Sequence, residues 1–182
     1  PMKTFHTLGS LFFGVAILLF FGLAYPHHLH YQEQFQLFLF DSAYVWDVIK
    51  LPGGVADLLG RFCTQFFLFA WVGALILALL FVAVQLLTAR LVSWGRLYAL
   101  CYIPAGLLWI FMLDENALLG GVWALLLSLL VAWGFDCLGE GRVRNILLVV
   151  DTPVLYWAAG PIGVVFLLLQ APRSYRRPWF YV

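Results

Sequence analysis

Carboxylates are the residues of this 182-residue chain with the most chemistry to offer, because they are few in an apolar background. Glu33 stands between Gln32 and Gln34 in the run His27-His28-Leu29-His30-Tyr31-Gln32-Glu33-Gln34, and Asp41 follows it. A carboxylate flanked by amides that can orient a ligand suits general-base work on a hydroxyl. Asp114-Glu115-Asn116 is a second acidic group, of the kind that holds a divalent cation against a phosphate. His27, His28 and His30 add imidazoles close to Glu33, and imidazole with carboxylate is a zinc donor set. Their spacing matches no standard site, so ordinary interfacial side chains are the plainer reading. Asp151 is a lone acid inside an apolar run, followed by Thr152-Pro153. It either serves a substrate path or satisfies backbone groups that the proline frees. Plain structural roles compete at Glu33 and Asp114 as well, since acids at helix ends are common solvated caps.

The remaining composition says what must position these groups. The chain is 64% hydrophobic and 10% charged, with a mean hydropathy of +0.97. Soluble domains are about 45–50% apolar and about 25% charged. This balance excludes a soluble globule, a disordered chain and a disulfide-stapled module, and leaves an integral membrane protein. A net charge of +1 excludes nucleic-acid binding through a basic face. Cys63, Cys101 and Cys137 have no partner at metal-ligand spacing and read as small buried hydrophobes.

A spanning helix needs about 20 apolar residues, and only helices satisfy the backbone of such long uniform runs. The sequence therefore predicts an all-α, polytopic transmembrane helical bundle forming a single transmembrane domain over 1–182. Four spans are expected at about 8–24, 62–89, 97–113 and 117–135. A fifth run, 146–171, is interrupted at Pro153 and at Gly160-Pro161, which suits either one long broken helix or a re-entrant hairpin. Lys3 before the first run and Gly22-Leu23-Ala24 at its end are also marks of a signal peptide, a weaker reading because further spans follow. The loop 25–61 is expected to lie in the interface, with Phe35, Phe38, Leu39, Trp46 and Ile49 on one helical face. Pro52-Gly53-Gly54 would end that helix, and a second short helix from about Val55 would lead into the second span.

Basic residues in short loops set orientation. Lys3, Arg90, Arg96, Arg142 and Arg144 fall on one side, whereas the loop 25–61 has a net charge of −2 and the turn at 114–116 carries only acids. The amino terminus is thus expected in the cytoplasm, in the cytoplasmic (inner) membrane of a bacterium, with both acidic groups outside. Arg173, Arg176 and Arg177 break the pattern if the fifth run crosses once, and fit it if that run re-enters or if the chain is part of something longer.

The stretch 30–38, Pro52-Gly53-Gly54, Gly60-Arg61-Phe62, Gln65-Phe66-Phe67, Asp114-Glu115-Asn116 and 156–161 together resemble a bacterial family of multi-pass membrane proteins known only as a domain of unknown function. Members of that family are longer, so the resemblance implies an amino-terminal portion; it implies no activity. The order of elements is also similar to that of GT-C-class membrane glycosyltransferases, which use polyprenyl-phosphate-linked sugars. That likeness implies Glu33 or Asp41 as the catalytic acid of the first outer loop and Asp114 with Glu115 as ligands of a divalent cation. Three functional readings follow. The first is a membrane scaffold or assembly subunit, whose small residues Gly73, Ala74, Ala78, Gly120, Gly121 and Ala124 admit partner helices. The second is a glycosyltransferase of that kind, acting on a polyprenyl-phosphate lipid. The third is a transporter or channel built on Asp151 and its broken helix.

Overall fold

The computed structural model describes residues 2–92, 95–137 and 142–175, and every regular element among them is helical. α1 (Met2–Leu19) continues through one π turn (Phe20–Ala24), which is closed by the Tyr25 amide donating to the Phe20 carbonyl at 2.9 Å. Three short helices follow: α2 (Pro26–Phe35), α3 (Ser42–Ile49) and α4 (Gly54–Thr64). Then come α5 (Ala70–Leu91), a 3-10 segment (Gly95–Tyr102) running into α6 (Ile103–Phe111), and α7 (Leu119–Cys137). α8 (Arg142–Ala159), a 3-10 turn (Gly160–Gly163) and α9 (Val164–Tyr175) complete the fold.

Four stretches are long and apolar enough to cross a membrane: His6–Ala24, Ala70–Leu91, Leu119–Cys137 and Ile146–Gln170. In their most apolar 18-residue windows the second and third of these bury 56% and 50% of the residues, the first and last only 22% and 28%. α5 and α7 are therefore the centre of the bundle, and α1 and the carboxy-terminal helices flank them. The core follows from this arrangement, with Ile17 and Phe21 of α1, Leu77 and Phe81 of α5, and Val122 and Phe135 of α7 all buried. Close approach is bought with glycine: at Gly22 a Cβ would meet the Trp71 ring at 2.8 Å.

The structure corrects three boundaries. The second span starts at Ala70, because Phe69 is extended (φ −102°, ψ 102°) and separates α5 from a 3-10 turn at Gln65–Leu68. Thr64 Oγ1 (2.8 Å) and Gln65 Nε2 (3.3 Å) both donate to the Arg61 carbonyl and close α4 there. Hydropathy cannot see this stop, since Phe and Leu are as apolar in a turn as in a span. The third run supplies only a shorter apolar helix, Tyr98–Phe111. Its eight 3-10 residues rise about 2.0 Å each and its nine α residues about 1.5 Å each, so Gly95–Phe111 still reaches about 30 Å, the thickness of the hydrocarbon core. The loop 25–61 does not carry one helix through 35–49: residues 36–41 are non-helical, so Phe35 and Trp46 belong to different helices.

The fifth run resolves as a hairpin. Pro153 lies inside a continuous α8, and the break falls at Gly160, whose φ of +65° only glycine takes readily. Beyond it the chain doubles back: a Cβ on Gly163 would lie 3.2 Å from the Leu155 carbonyl. α9 then descends along α7, with Ser128 3.4 Å from the Ile162 carbonyl, and Gln170 Nε2 donating to the Ala132 carbonyl (3.3 Å) and Asp136 Oδ1 (3.1 Å). Both ends of the hairpin thus lie at the end of the bundle where α7 finishes. Arg176 and Arg177 lie outside the described residues.

Candidate functional site

α2 to α4 and the turn 112–118 share the opposite end of the bundle, which brings the two acidic groups of the sequence to one side. α2 starts with Pro26 at its first turn, where the missing amide hydrogen costs nothing. It is seated on the turn by Gln32, whose Nε2 donates to the Ala117 carbonyl at 3.0 Å. His28 and Gln32, four apart on one face of α2, and Gln36 just past its end are all buried, exposed by 2%, 3% and 8%. Gln65 Nε2 donates to the Gln36 carbonyl at 2.8 Å and ties the end of this buried row to the turn after α4. Gln32 Oε1 and Gln36 Oε1 are buried without a hydrogen-bond partner, and the buried His28 ring faces the Met112 backbone. Buried polar atoms are paired in most folds, so two orphan amide oxygens side by side mark a place prepared for polar groups. Burial pushes the His28 pKa down from 6.5, opposed by the Met112 backbone and the charge of Glu115, assisted by His27, and opposed by Asp114.

The acids divide into two kinds. Asp41 is the N-cap of α3 and accepts from the Tyr44 amide at 3.3 Å. Asp47 pairs with Lys50 (2.6 Å) and Asp57 with Arg61 (2.9 Å). Asp114 Oδ1 accepts from the Asn116 amide (2.9 Å) and side chain (3.4 Å), folding the turn ahead of α7. Glu33, by contrast, is half-buried on α2 with no hydrogen bond or ion pair, and Glu115 is exposed without one. The imidazoles do not converge, since His28 is buried and His27 and His30 are exposed. Among the described residues no group of three His, Cys, Asp or Glu side chains is arranged to hold a metal. Asp151 stands apart from this end, halfway along α8.

Aromatic rings wall the site on one side. Phe38 packs edge-on against Phe40, Tyr44 and Phe62 at 5.0, 5.8 and 5.5 Å, and Phe62 continues to Phe66 at 5.4 Å. Arg61 Nη1 donates to the Tyr44 hydroxyl at 3.5 Å, which puts a cation against this wall. On the other side lies a junction of small residues. Gly60 meets the Gly120 backbone, a Cβ on Gly120 would lie 3.1 Å from Asp57 Cα, and Gly53 (φ +79°) faces Gly160. The Gly53 amide donates to the Trp157 carbonyl, and Trp157 Nε1 to the Ile49 carbonyl, both at 2.7 Å. A cavity of about 370 Å³ remains there, with Asp57 the one titratable side chain in its wall.

The sequence pointed to Glu33 and to His28 but not to Gln32 and Gln36 as a buried row. The signal was present as polar residues at four-residue spacing, yet it lay in a stretch polar on every side. No curated protein and no solved structure matches this chain. A family model does match, over residues 1–180, and the chain belongs to that family, described as a family of unknown function, DUF6057.

Proposed function

We propose that the α2 end of the bundle is the acceptor side of a glycosyl-transfer site on the extracytoplasmic face, like that of GT-C-class membrane glycosyltransferases. The observation that carries this reading is the state of Glu33: half-buried, unpaired, and set beside a buried row with unpaired polar atoms, while the other loop aspartates are engaged in caps and ion pairs. A carboxylate without a partner is free to take a proton. Glu33 would deprotonate an acceptor hydroxyl as its oxygen attacks the anomeric carbon, and the polyprenyl phosphate would leave with the bonding electron pair. The orphan amide oxygens of Gln32 and Gln36 accept hydrogen bonds, which suits the hydroxyls of a sugar and not a bare anion. The nearby Arg61 guanidinium is paired with Asp57, and Gln65 ties only the Arg61 carbonyl to that of Gln36. No step is routed through a cation.

The assembly-subunit reading loses its main support. Gly73 is packed against Phe67, Gly120 against Asp57 and Gly121 against Phe111, while Ala74, Ala78 and Ala124 are buried in the chain's own core. These small residues are already used. The test is Glu33→Gln in the full-length protein, read as the surface polysaccharide and glycolipid profile at matched membrane abundance. The expected outcome is loss of one glycan species; an unchanged profile ends the proposal.

A further inference from the structure

Asp151 is a carboxylate with no basic counterpart among the described residues. It sits nine residues from Arg142 and eight from Ala159, which places it about 13 Å from either end of α8 and inside the apolar stretch that begins at Ile146. Its side chain is half-buried and makes no hydrogen bond or ion pair. The neighbouring hydroxyl is engaged, since Thr152 Oγ1 donates to the Leu148 carbonyl at 2.7 Å. The span-length stretches hold a single basic residue, Arg90, and it lies in the last turn of α5 over the Trp133 ring. Lipid tails supply no donor, so an ionisable group at this depth that turns partly outward calls for a partner from elsewhere. Val150 and Val154, on either side of it, are exposed and form an apolar surface on which another helix can lie. A second copy of this chain docked on the same face would bring a second carboxylate, and like charges in a low dielectric repel strongly.

We propose that Asp151 and the exposed Val150–Val154 face are the docking point for a spanning helix of another membrane protein, one that carries Lys or Arg near its middle. Charge complementarity selects the partner, and the apolar face supplies the contact. This is independent of the glycosyl-transfer reading, whose residues lie at one end of the bundle.

A photocrosslinking amino acid placed at Val150 or Val154 of the full chain, in the native membrane, tests this. The expected product is a crosslink to one polypeptide, at an apolar segment with a basic residue near its centre. Asp151→Leu loses that crosslink. Asp151→Lys regains it when the partner's basic residue is exchanged for Asp. Adducts with lipid alone, a captured segment lacking a basic residue, or a crosslink that persists in Asp151→Leu would each overturn the proposal. The melting midpoint of Asp151→Leu in detergent guards against misfolding: a lowered midpoint with no rescue by the charge exchange makes Asp151 a structural residue and likewise overturns it.

Discussion

Two regions at the same end of this molecule treat their small and polar residues in opposite ways. At the glycine junction, Gly60 on Gly120 and Gly53 on Gly160 let backbone meet backbone, and the groups around them are paired. Along α2 and at its end, His28, Gln32 and Gln36 are just as buried, yet the amide oxygens of Gln32 and Gln36 have no partner. The first region spends its residues on stability. The second holds polar groups in reserve beside an unpaired Glu33, an arrangement that costs stability and makes sense as a site. Burial alone therefore does not distinguish framework from function here; the pairing of what is buried does.

The comparison can be broken most severely at the junction. Gly60→Leu pushes a side chain into the Gly120 backbone, which cannot rotate away, so a loss of about 3 kcal/mol is expected, at the upper end of overpacking costs. A denaturant titration in mixed micelles measures it, and near wild-type stability would mean the contact is not tight. Gly160→Ala adds a Cβ at φ +65° and 3.3 Å from Gly53 Cα, and should cost about 1–2 kcal/mol by the same assay. Gly134→Ala, inside α7 where a Cβ meets nothing within 4 Å, is the matched control and should stabilise by up to about 1 kcal/mol.

On the α2 side the expected effect is a pH dependence. His28 is held neutral by burial, so its folded-state pKa lies below 6.5. The unfolded chain then binds the proton first, and stability supplied by the neutral ring is complete above pH 6.5 and falls as the pH drops toward the folded-state value. Thermal midpoints across that window should decline in the wild type and flatten in His28→Gln. A parallel decline in both proteins would remove His28 from the account. The smallest effect belongs to Asp47→Ala, because the Asp47–Lys50 pair is 72% and 63% exposed. A change within about 0.5 kcal/mol is expected, and a larger one would show that the outer loop depends on surface charge.

Particular residues show how far the sequence could be read. The absence of charge across Leu119–Phe135 left helix as the one way to satisfy its backbone in lipid, and α7 occupies those positions. Across 62–89 the same logic overran, because the stop at Phe69 depends on Thr64 and Gln65 finding the Arg61 carbonyl. Gly160-Pro161 announced a break, but its direction was settled by contacts with α7 more than 30 residues away in the chain. Of the candidate acids, Glu33 and Asp114 were equally visible as letters. Their difference lies in Asn116, which folds back on one, and in the absence of any such neighbour for the other.

Composition by itself determined that this chain forms helices long and apolar enough to cross a bilayer, because transfer free energy and backbone hydrogen bonding add up residue by residue. The tertiary structure alone decided where helices stop, that the last run is a hairpin, and which carboxylates remain unpaired. Those outcomes depend on which atoms meet across the bundle, and a side chain's partner is a property of the packed chain and not of its own chemical type.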